Sequence, residues 1–447
     1  MNPVSMRELI ENWENRSILY RIKKEVDPEY EMGAVVKTKD GKQPFLFDNI
    51  KGYQSSMAAG LGGDRELMAD SMGISSSELI PSLIEGIVHP MKTNTIHSQS
   101  APVHENVMYS PFELDKYFPI PTFHEEDCGP YYVSGVLVVK EPDGQKRYTS
   151  IRRMGFIGEN KTNIAITSPE LQRHYAAFEK NDEPLEVAVM FGVLPAVVLA
   201  SQVSTHLFHT DKLNIASALI GRSLDVVQCR TVDLEVLAEA EIVLEGKILP
   251  HRRDSEGTFG ELGGYYGGNM PQPIVEMSAL TYRKNAISQT IMPASAEEKL
   301  PMCLVREMTL LSTVRQVVEN VKAVHITMAA AARFHAIIQI DKKTDGDGKQ
   351  AAMAAFASDK DLKHVVVVDE DVDLLNPEDV EWAIATRIQA DVDIFITPGA
   401  KGSPLEASHN LRGVTAKMGI DATIPLDQKN EFRRPAIPID VDLADYL

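Results

Sequence analysis

Apolar side chains recur at helical spacing at the start of the chain, where Leu9, Ile10, Trp13 and Ile18 in MRELIENWENRSILYRI mark one face of an amphipathic helix. A strand-like run over 44–50 (PFLFDNI) and a second helical pattern over 66–72 follow, which predicts an α/β segment to about residue 100. From Val133 the period changes. Short alternating runs rich in β-branched residues, among them YYVSGVLVVK, YTSIRRMGFI, NIAITS, LEVAVMFGVLP and AEIVLEGKILP, are separated by Gly, Pro and Asn turns. They predict an all-β or split-barrel domain to about Met292, interrupted by a helix over 211–220. Beyond Pro301 the pattern returns to α/β. LVREMTLLSTVRQVVENV predicts a helix, VHITM a strand and GDGKQAAMAAFAS a loop entering a helix, while HVVVVDEDVD reads as a buried strand ending in acids and PEDVEWAIATRIQA as a helix opened by Pro377. The expected fold class is α/β plus β, in three domains: an N-terminal α/β domain (1–110), a central split β-barrel (111–300) and a C-terminal α/β domain (301–447). A length of 447 residues suits two or three such domains at about 150 residues each.

Composition narrows the classes. With 44% hydrophobic residues and ordinary Gly and Pro content, the chain can build cores and is neither disordered nor collagenous. Its three cysteines, Cys128, Cys229 and Cys303, are odd in number, widely spaced and without a CxxC, which favours a reducing compartment and a chemistry not based on cysteine. Apolar runs such as 365–368 fall far below the roughly 20 residues a membrane span needs, and the N-terminus lacks a basic segment followed by an apolar one. A soluble, cytoplasmic protein without membrane or nucleic-acid partners is expected, since a net charge of −19 disfavours binding to phosphate backbones. The same charge leaves room for a small anionic substrate, because a local arginine cluster is screened from distant acids beyond roughly 8–10 Å.

Two stretches could carry chemistry. In residues 254–268, DSEGTFGELGGYYGG, six glycines surround Glu256 and Glu261. On a regular strand a five-residue offset sends two side chains to opposite faces, so convergence of these carboxylates requires a bend, which Gly257 and Gly260 permit. Close carboxylates disfavour double ionisation and can leave one protonated. Composition alone favours a solvated glycine-rich turn, and neither a Walker pattern nor GxGxxG entering a helix is present. The second stretch is YTSIRRM (148–154). Adjacent residues of this strand-like run face opposite ways, so one of Arg152 and Arg153 points inward and must meet an anion, structural or catalytic. Glu170 and Glu241 could coordinate a hard cation, and His124 has acidic neighbours Glu125–Asp127 without HExxH spacing.

These residues resemble the UbiD family of decarboxylases, and the resemblance spans nearly the whole chain. It is carried by PTFHEEDCGPYYVSGV, the S-x-x-R of Ser150 and Arg153, PAVVLASQ (195–202), TVDLEVLAEAEIVLEG (231–246), EGTFGELGGYYG (256–267), VVVVDEDVDLLNPEDVEWAIATR (365–387) and KMGIDAT (417–423). The resemblance implies a split barrel that binds prenylated FMN, and a non-oxidative, reversible decarboxylase of an aromatic, heteroaromatic or α,β-unsaturated carboxylic acid. It further implies a catalytic network of Arg153, Glu256 and Glu261, with Arg153 holding the substrate carboxylate, Glu261 donating the proton and Glu256 setting their charge state. The flavin contacts it implies are Ser150, Ile151, Arg152, Arg153, Gln202 and Lys363. It also implies a divalent Mn2+ (or Mg2+) and a K+ at the cofactor phosphate, with Glu241, Glu170, Ala200 and Ser201 as the metal set. The family's usual asparagine is Tyr148 here and its usual histidine is Glu170, with His174 one turn away as the alternative. For substrate binding it implies Arg306 and Glu298, where members acting on furan dicarboxylic acid carry an arginine and a histidine. Expected partners are a flavin prenyltransferase as cofactor supplier and further copies of the chain, as a homodimer or homohexamer. Two alternatives are a cofactor-binding component without its own turnover, and an FMN-dependent reductase, which would not need the two glutamates with Arg153.

Overall fold

In the computed structural model every residue is described except 1, 143, 145, 205–209, 269, 410–412, 436, 440 and 447, with backbone alone at 268, 443 and 445. The N-terminal apolar stripe forms a helix at Met6–Asn15, capped by the Ser5 hydroxyl on the Glu8 N–H, and buries Met6, Leu9, Ile10 and Trp13. It ends sooner than the apolar pattern suggests, because Ser17 takes a positive φ of 56° and the chain turns into strand Tyr20–Ile22. That strand opens a four-stranded sheet in the order Tyr20–Ile22, Phe45–Phe47, Ser56–Ala59, Ile287–Gln289. The last member comes from far along the chain, so the N-terminal segment does not complete its own sheet.

The alternating runs of the middle of the chain form one antiparallel sheet of nine strands. Its path runs Tyr131–Tyr132, Met154–Gly158, Lys161–Ile164, Pro271–Tyr282, Ile242–Ser255, Leu185–Phe191, Val136–Lys140, Arg147–Ile151, with Asn106–Tyr109 also paired to Pro271–Tyr282. Period-2 patterning sorts the side chains. Leu137, Val139, Val187 and Val189 enter one core, while Val136, Val138, Ala188 and Met190 enter another that also takes residues of helices Leu79–Val88, Pro195–Ser201 and Lys212–Ile220. With both faces covered, a strand such as Val136–Lys140 is apolar along nearly its whole length. The sheet is an open path, not the closed barrel that the spacing of short strands suggests. The reason lies in YTSIRRMGFI, which is two strands and not one: Arg147–Ile151 ends the path on one side, Met154–Gly158 is next to its other end, and Arg152 and Arg153 make the crossing.

Residues 1–308 with 328–332 form one compact unit, and residues 309–327 with 333–447 a second. The second is built on a five-stranded sheet, Val321–Ile326, His335–Ile340, His364–Asp369, Val414–Ala422, Ile394–Lys401, parallel at its centre and antiparallel at both edges. The buried Val365–Val368 core of His364–Asp369 explains the uninterrupted apolar run. The helix preceding this sheet is Ala296–Val314, shifted towards the N-terminus from the sequence expectation because the chain is extended again from Val321. Among the described residues no helix is long and apolar enough to cross a membrane.

Candidate active site

Strand Ile242–Ser255 ends immediately before Glu256, and the chain turns there through Gly257, whose φ of +73° lies in the left-handed region open to glycine. A Cβ at Gly257 would stand 2.2 Å from Cys128 Sγ, so the turn is also closely packed. Residues Thr258–Gly260 then pair with Tyr266–Gly268 as a short hairpin, and Glu261 opens the connecting turn. Two hydrogen bonds pin this hairpin to the segment before the sheet: Gly260 N–H donates to the Asp127 carboxylate Oδ1 at 2.9 Å, and Cys128 N–H to Thr258 O at 2.9 Å. Burial would raise the Asp127 carboxyl, but bonds from His124 and from the Gly260 and His124 N–H groups outweigh it and hold the carboxyl below its ordinary range.

The bend brings both glutamates to one guanidinium. Arg153 Nε donates to Glu256 Oε1 at 2.5 Å and Nη2 to Glu261 Oε1 at 2.8 Å. Glu256 is almost fully buried, and its other oxygen accepts from Gln272 Nε2 at 3.3 Å. The guanidinium lies 4.3 Å from the centre of the Phe259 ring, which in turn meets Tyr131 edge-on at 4.7 Å. Burial opposes the charge of Arg153, yet the bonds to Glu261 and Glu256 prevail and its pKa is raised. Nη1 makes no hydrogen bond among the described residues. The arrangement can bind and orient an anion beside two carboxyl groups, with one side walled by an aromatic ring.

Arg152 takes a different direction. Its Nη1 donates to Ile151 O at 2.9 Å and its Nη2 to the Tyr148 hydroxyl at 3.3 Å, while its buried Nε and the buried hydroxyl of Ser150 have no partner among the described residues. Next to them lies Lys212, which the sequence reading did not single out. Its Nζ donates to Ser201 O at 2.9 Å and sits 4.8 Å from the centre of the Tyr148 ring. The ammonium is pushed down to about 7, first by burial and then by Arg152, with Glu170 acting the other way. Its signal in the sequence was the one charge in the helix KLNIASALI, at its head. Tyr148 also meets the His174 ring at 5.2 Å and the Ser168 hydroxyl at 3.0 Å.

Three of the residues read as metal ligands, Ala200, Ser201 and Glu241, are taken up by other partners. Ala200 O accepts the Val203 N–H, the Ser201 hydroxyl donates to Val198 O, and the Ser201 carbonyl accepts from Lys212. Glu241, fully buried, accepts from Arg7 Nε at 3.0 Å and Nη2 at 2.6 Å and from the Ile287 N–H at 3.0 Å, with Arg283 Nη1 at 3.8 Å. Arginines are thus its counter-charges. Among the described residues no three His, Cys, Asp or Glu side chains gather as a cation would require.

Of the remaining candidates, Gln202 follows helix Pro195–Ser201 as its C-cap. Lys363 belongs to the second unit, where its ammonium donates to Glu406 Oε1 and the Ser408 hydroxyl, both at 2.6 Å. Glu298 and Arg306 are half-buried on helix Ala296–Val314, and Glu298 accepts the Ala294 N–H at 2.6 Å. Their neighbours are the more buried: Glu307 accepts Arg65 at 2.5 Å, and Glu297 accepts the N–H groups of Gly60 and Leu61 at 2.6 and 2.8 Å. Burial pushes the Glu297 carboxyl up to about 7 against those bonds.

Three family models match the chain in order: the N-terminal domain of 3-octaprenyl-4-hydroxybenzoate carboxy-lyase at 10–87, its Rift-related domain at 94–296 and its C-terminal domain at 299–422. Among solved structures, the chain is similar to the UbiD-class enzyme HmfF from Pelotomaculum thermopropionicum in complex with FMN. The two share a TM-score of 0.96 and 45% identity, over 99% of this chain and 100% of that one. An evolved dimeric form of that enzyme in complex with prFMN gives 0.92 and 42%, with both chains fully covered. In sequence, the anhydromevalonate phosphate decarboxylase of Methanothermobacter thermautotrophicus is 34% identical over 414 residues, 92% of this chain and 96% of that protein.

Proposed function

This chain belongs to the UbiD family of decarboxylases, and we propose that it acts on an aromatic, heteroaromatic or α,β-unsaturated carboxylic acid, non-oxidatively and reversibly, with prenylated FMN as cofactor. The observation that carries this reading is Arg153 between Glu256 and Glu261, with Nη1 left for a further anion.

The flavin fits the residues present. Among the described residues Ser150 and Arg152 offer a buried hydroxyl and a buried Nε without partners, which suits an anionic group of the cofactor; Ile151 lies between them in the chain, and Gln202 follows the helix whose Ser201 carbonyl receives Lys212. When bound, prenylated FMN supplies the electron sink that side chains cannot. A flavin prenyltransferase would supply it.

The chain's own residues do the rest. Arg153 pairs with the substrate carboxylate and orients it, its charge secured by the buried Glu256 carboxylate on Nε. Glu261, on Nη2 of the same guanidinium, gives a proton to the carbon that has lost carbon dioxide, and in the reverse direction takes it back. Phe259 and Tyr131 keep water from that side of the guanidinium. In this reading the three matched stretches act as an N-terminal domain, a flavin-binding domain and a C-terminal domain that joins copies of the chain as a dimer or hexamer.

The test is co-expression with a flavin prenyltransferase, followed by the absorption spectrum and mass of the bound cofactor and an assay of a carboxylic-acid panel for carbon dioxide release. Loading together with release from at least one unsaturated or aromatic acid supports the proposal. Loading without release or exchange across the panel points instead to a cofactor-binding component.

A further inference from the structure

Lys212 occupies a place that the metal expectation assigns to an ion. The last carbonyls of helix Pro195–Ser201 are unpaired within the helix and sit at its negative end, so they attract a cation. The cation they receive is the Lys212 ammonium, at 2.9 Å from Ser201 O. A second cation, Arg152, is held near it by the Tyr148 side chain, whose ring takes the ammonium on its face and whose hydroxyl accepts the guanidinium. Neither Lys212 nor Arg152 forms an ion pair with a carboxylate among the described residues, and Glu170 is the acid acting on Lys212. Lys212 and Arg152 therefore meet on one tyrosine side chain, two positions along strand Arg147–Ile151 from the buried and unpartnered Ser150 hydroxyl, in a chain with a net charge of −19. Among the described residues neither cation is paired with an anion.

We propose that Lys212 is this chain's built-in substitute for a metal ion, and that with Arg152 and Ser150 it binds the phosphate group of the flavin directly, so that cofactor binding needs neither a divalent ion nor K+. The proposal rests on the flavin reading above. It also accounts for Tyr148 and Glu170 together: an aromatic face and a single carboxylate suit an ammonium, whereas Tyr148 is a poor ligand for Mn2+ or Mg2+.

The test uses the full-length chain freed of flavin, with FMN binding followed by quenching of flavin fluorescence and riboflavin as the probe without a phosphate. Wild-type protein should bind FMN equally in a buffer containing Mn2+ and K+ and in one containing EDTA with choline in place of K+. Elemental analysis of the FMN complex should find no stoichiometric metal. Lys212→Met should weaken FMN binding about tenfold to a hundredfold, the worth of one charged hydrogen bond, leave riboflavin binding unchanged, and be rescued in part by Lys212→Arg. A loss of about tenfold or more in FMN affinity on removing the metal ions overturns the proposal and leaves the flavin reading standing, as does FMN binding by Lys212→Met at the wild-type level. Because the metal comparison uses wild-type protein alone, it decides even if the variants fold poorly. Wild-type protein that binds FMN under neither condition overturns both.

Discussion

Arg153 and Glu256 meet at 2.5 Å, Nε to Oε1, although 103 residues separate them in the chain. The Arg153 side chain retains 17% of its exposure and Glu256 2%, so the pair is closed on the glutamate side, and Nη1 makes no hydrogen bond among the described residues. An arginine used this way is a structural clamp, and in the proposed function also the receptor for the substrate carboxylate.

Removing the clamp has two consequences. Arg153→Ala leaves the Glu256 carboxylate buried without its cation and should cost about 3–5 kcal/mol of stability. Arg153→Lys should fold better but serve only one of the two glutamates, since a single ammonium does not reproduce bonds made by Nε and Nη2. Denaturant unfolding measures the first effect, and the KM for substrate the second. A stable Arg153→Lys enzyme with wild-type KM would contradict the assignment.

The bend that delivers the glutamates depends on Gly257. Gly257→Ala should lose about 1–2 kcal/mol from the left-handed backbone alone and more from the clash with Cys128, while Gly264→Ala, at φ +81° with nothing within 4 Å, should lose only the backbone share. Thermal melts of the two variants compare them. Cys128→Gly in the Gly257→Ala background should recover part of the difference, because both the Cβ and the Sγ of Cys128 obstruct the new methyl group.

Glu297 predicts a dependence on pH. Its folded pKa of about 7 lies above the ordinary 4.5, so the folded state holds the proton more tightly than the unfolded one. The stabilisation from that proton is complete below about pH 4.5 and is lost as pH rises towards 7, at up to about 1.4 kcal/mol per pH unit. Glu297→Gln, which stays neutral, should remove this slope. Unfolding free energies of both proteins from pH 4 to 8 give the difference, and parallel curves would refute the assignment.

Much of this molecule was legible in its alternation of apolar and polar residues. The buried strand His364–Asp369, the helix Pro377–Arg387 behind its proline and the requirement that an arginine of 148–154 find an anion all follow from local pattern. The break at Arg152 and Arg153 did not show, because a run of strand-forming residues carries no mark of where it changes neighbours, and on it hangs the open path of the sheet. The glycines only permitted a bend, and Glu256 and Glu261 were paired through the family resemblance. Phe259 and Gln272 could not be assigned, since what they touch is settled only when the hairpin and the strand Pro271–Tyr282 meet Arg153. Lys212 was visible as an isolated charge, but the meaning of that charge depends on the helix end and the tyrosine ring that receive it.

Proton transfer by Glu261 is the most direct test of the account. With enzyme co-expressed with a flavin prenyltransferase and transferred to D2O, the wild-type protein should place deuterium on the carbon that bore the carboxylate, both in the decarboxylated product and by exchange into added product. Glu261→Gln should bind the cofactor with an unchanged spectrum yet lose turnover and exchange by about 10²–10⁴-fold, the range for a positioned general acid. Exchange by cofactor-loaded Glu261→Gln at the wild-type rate would contradict it.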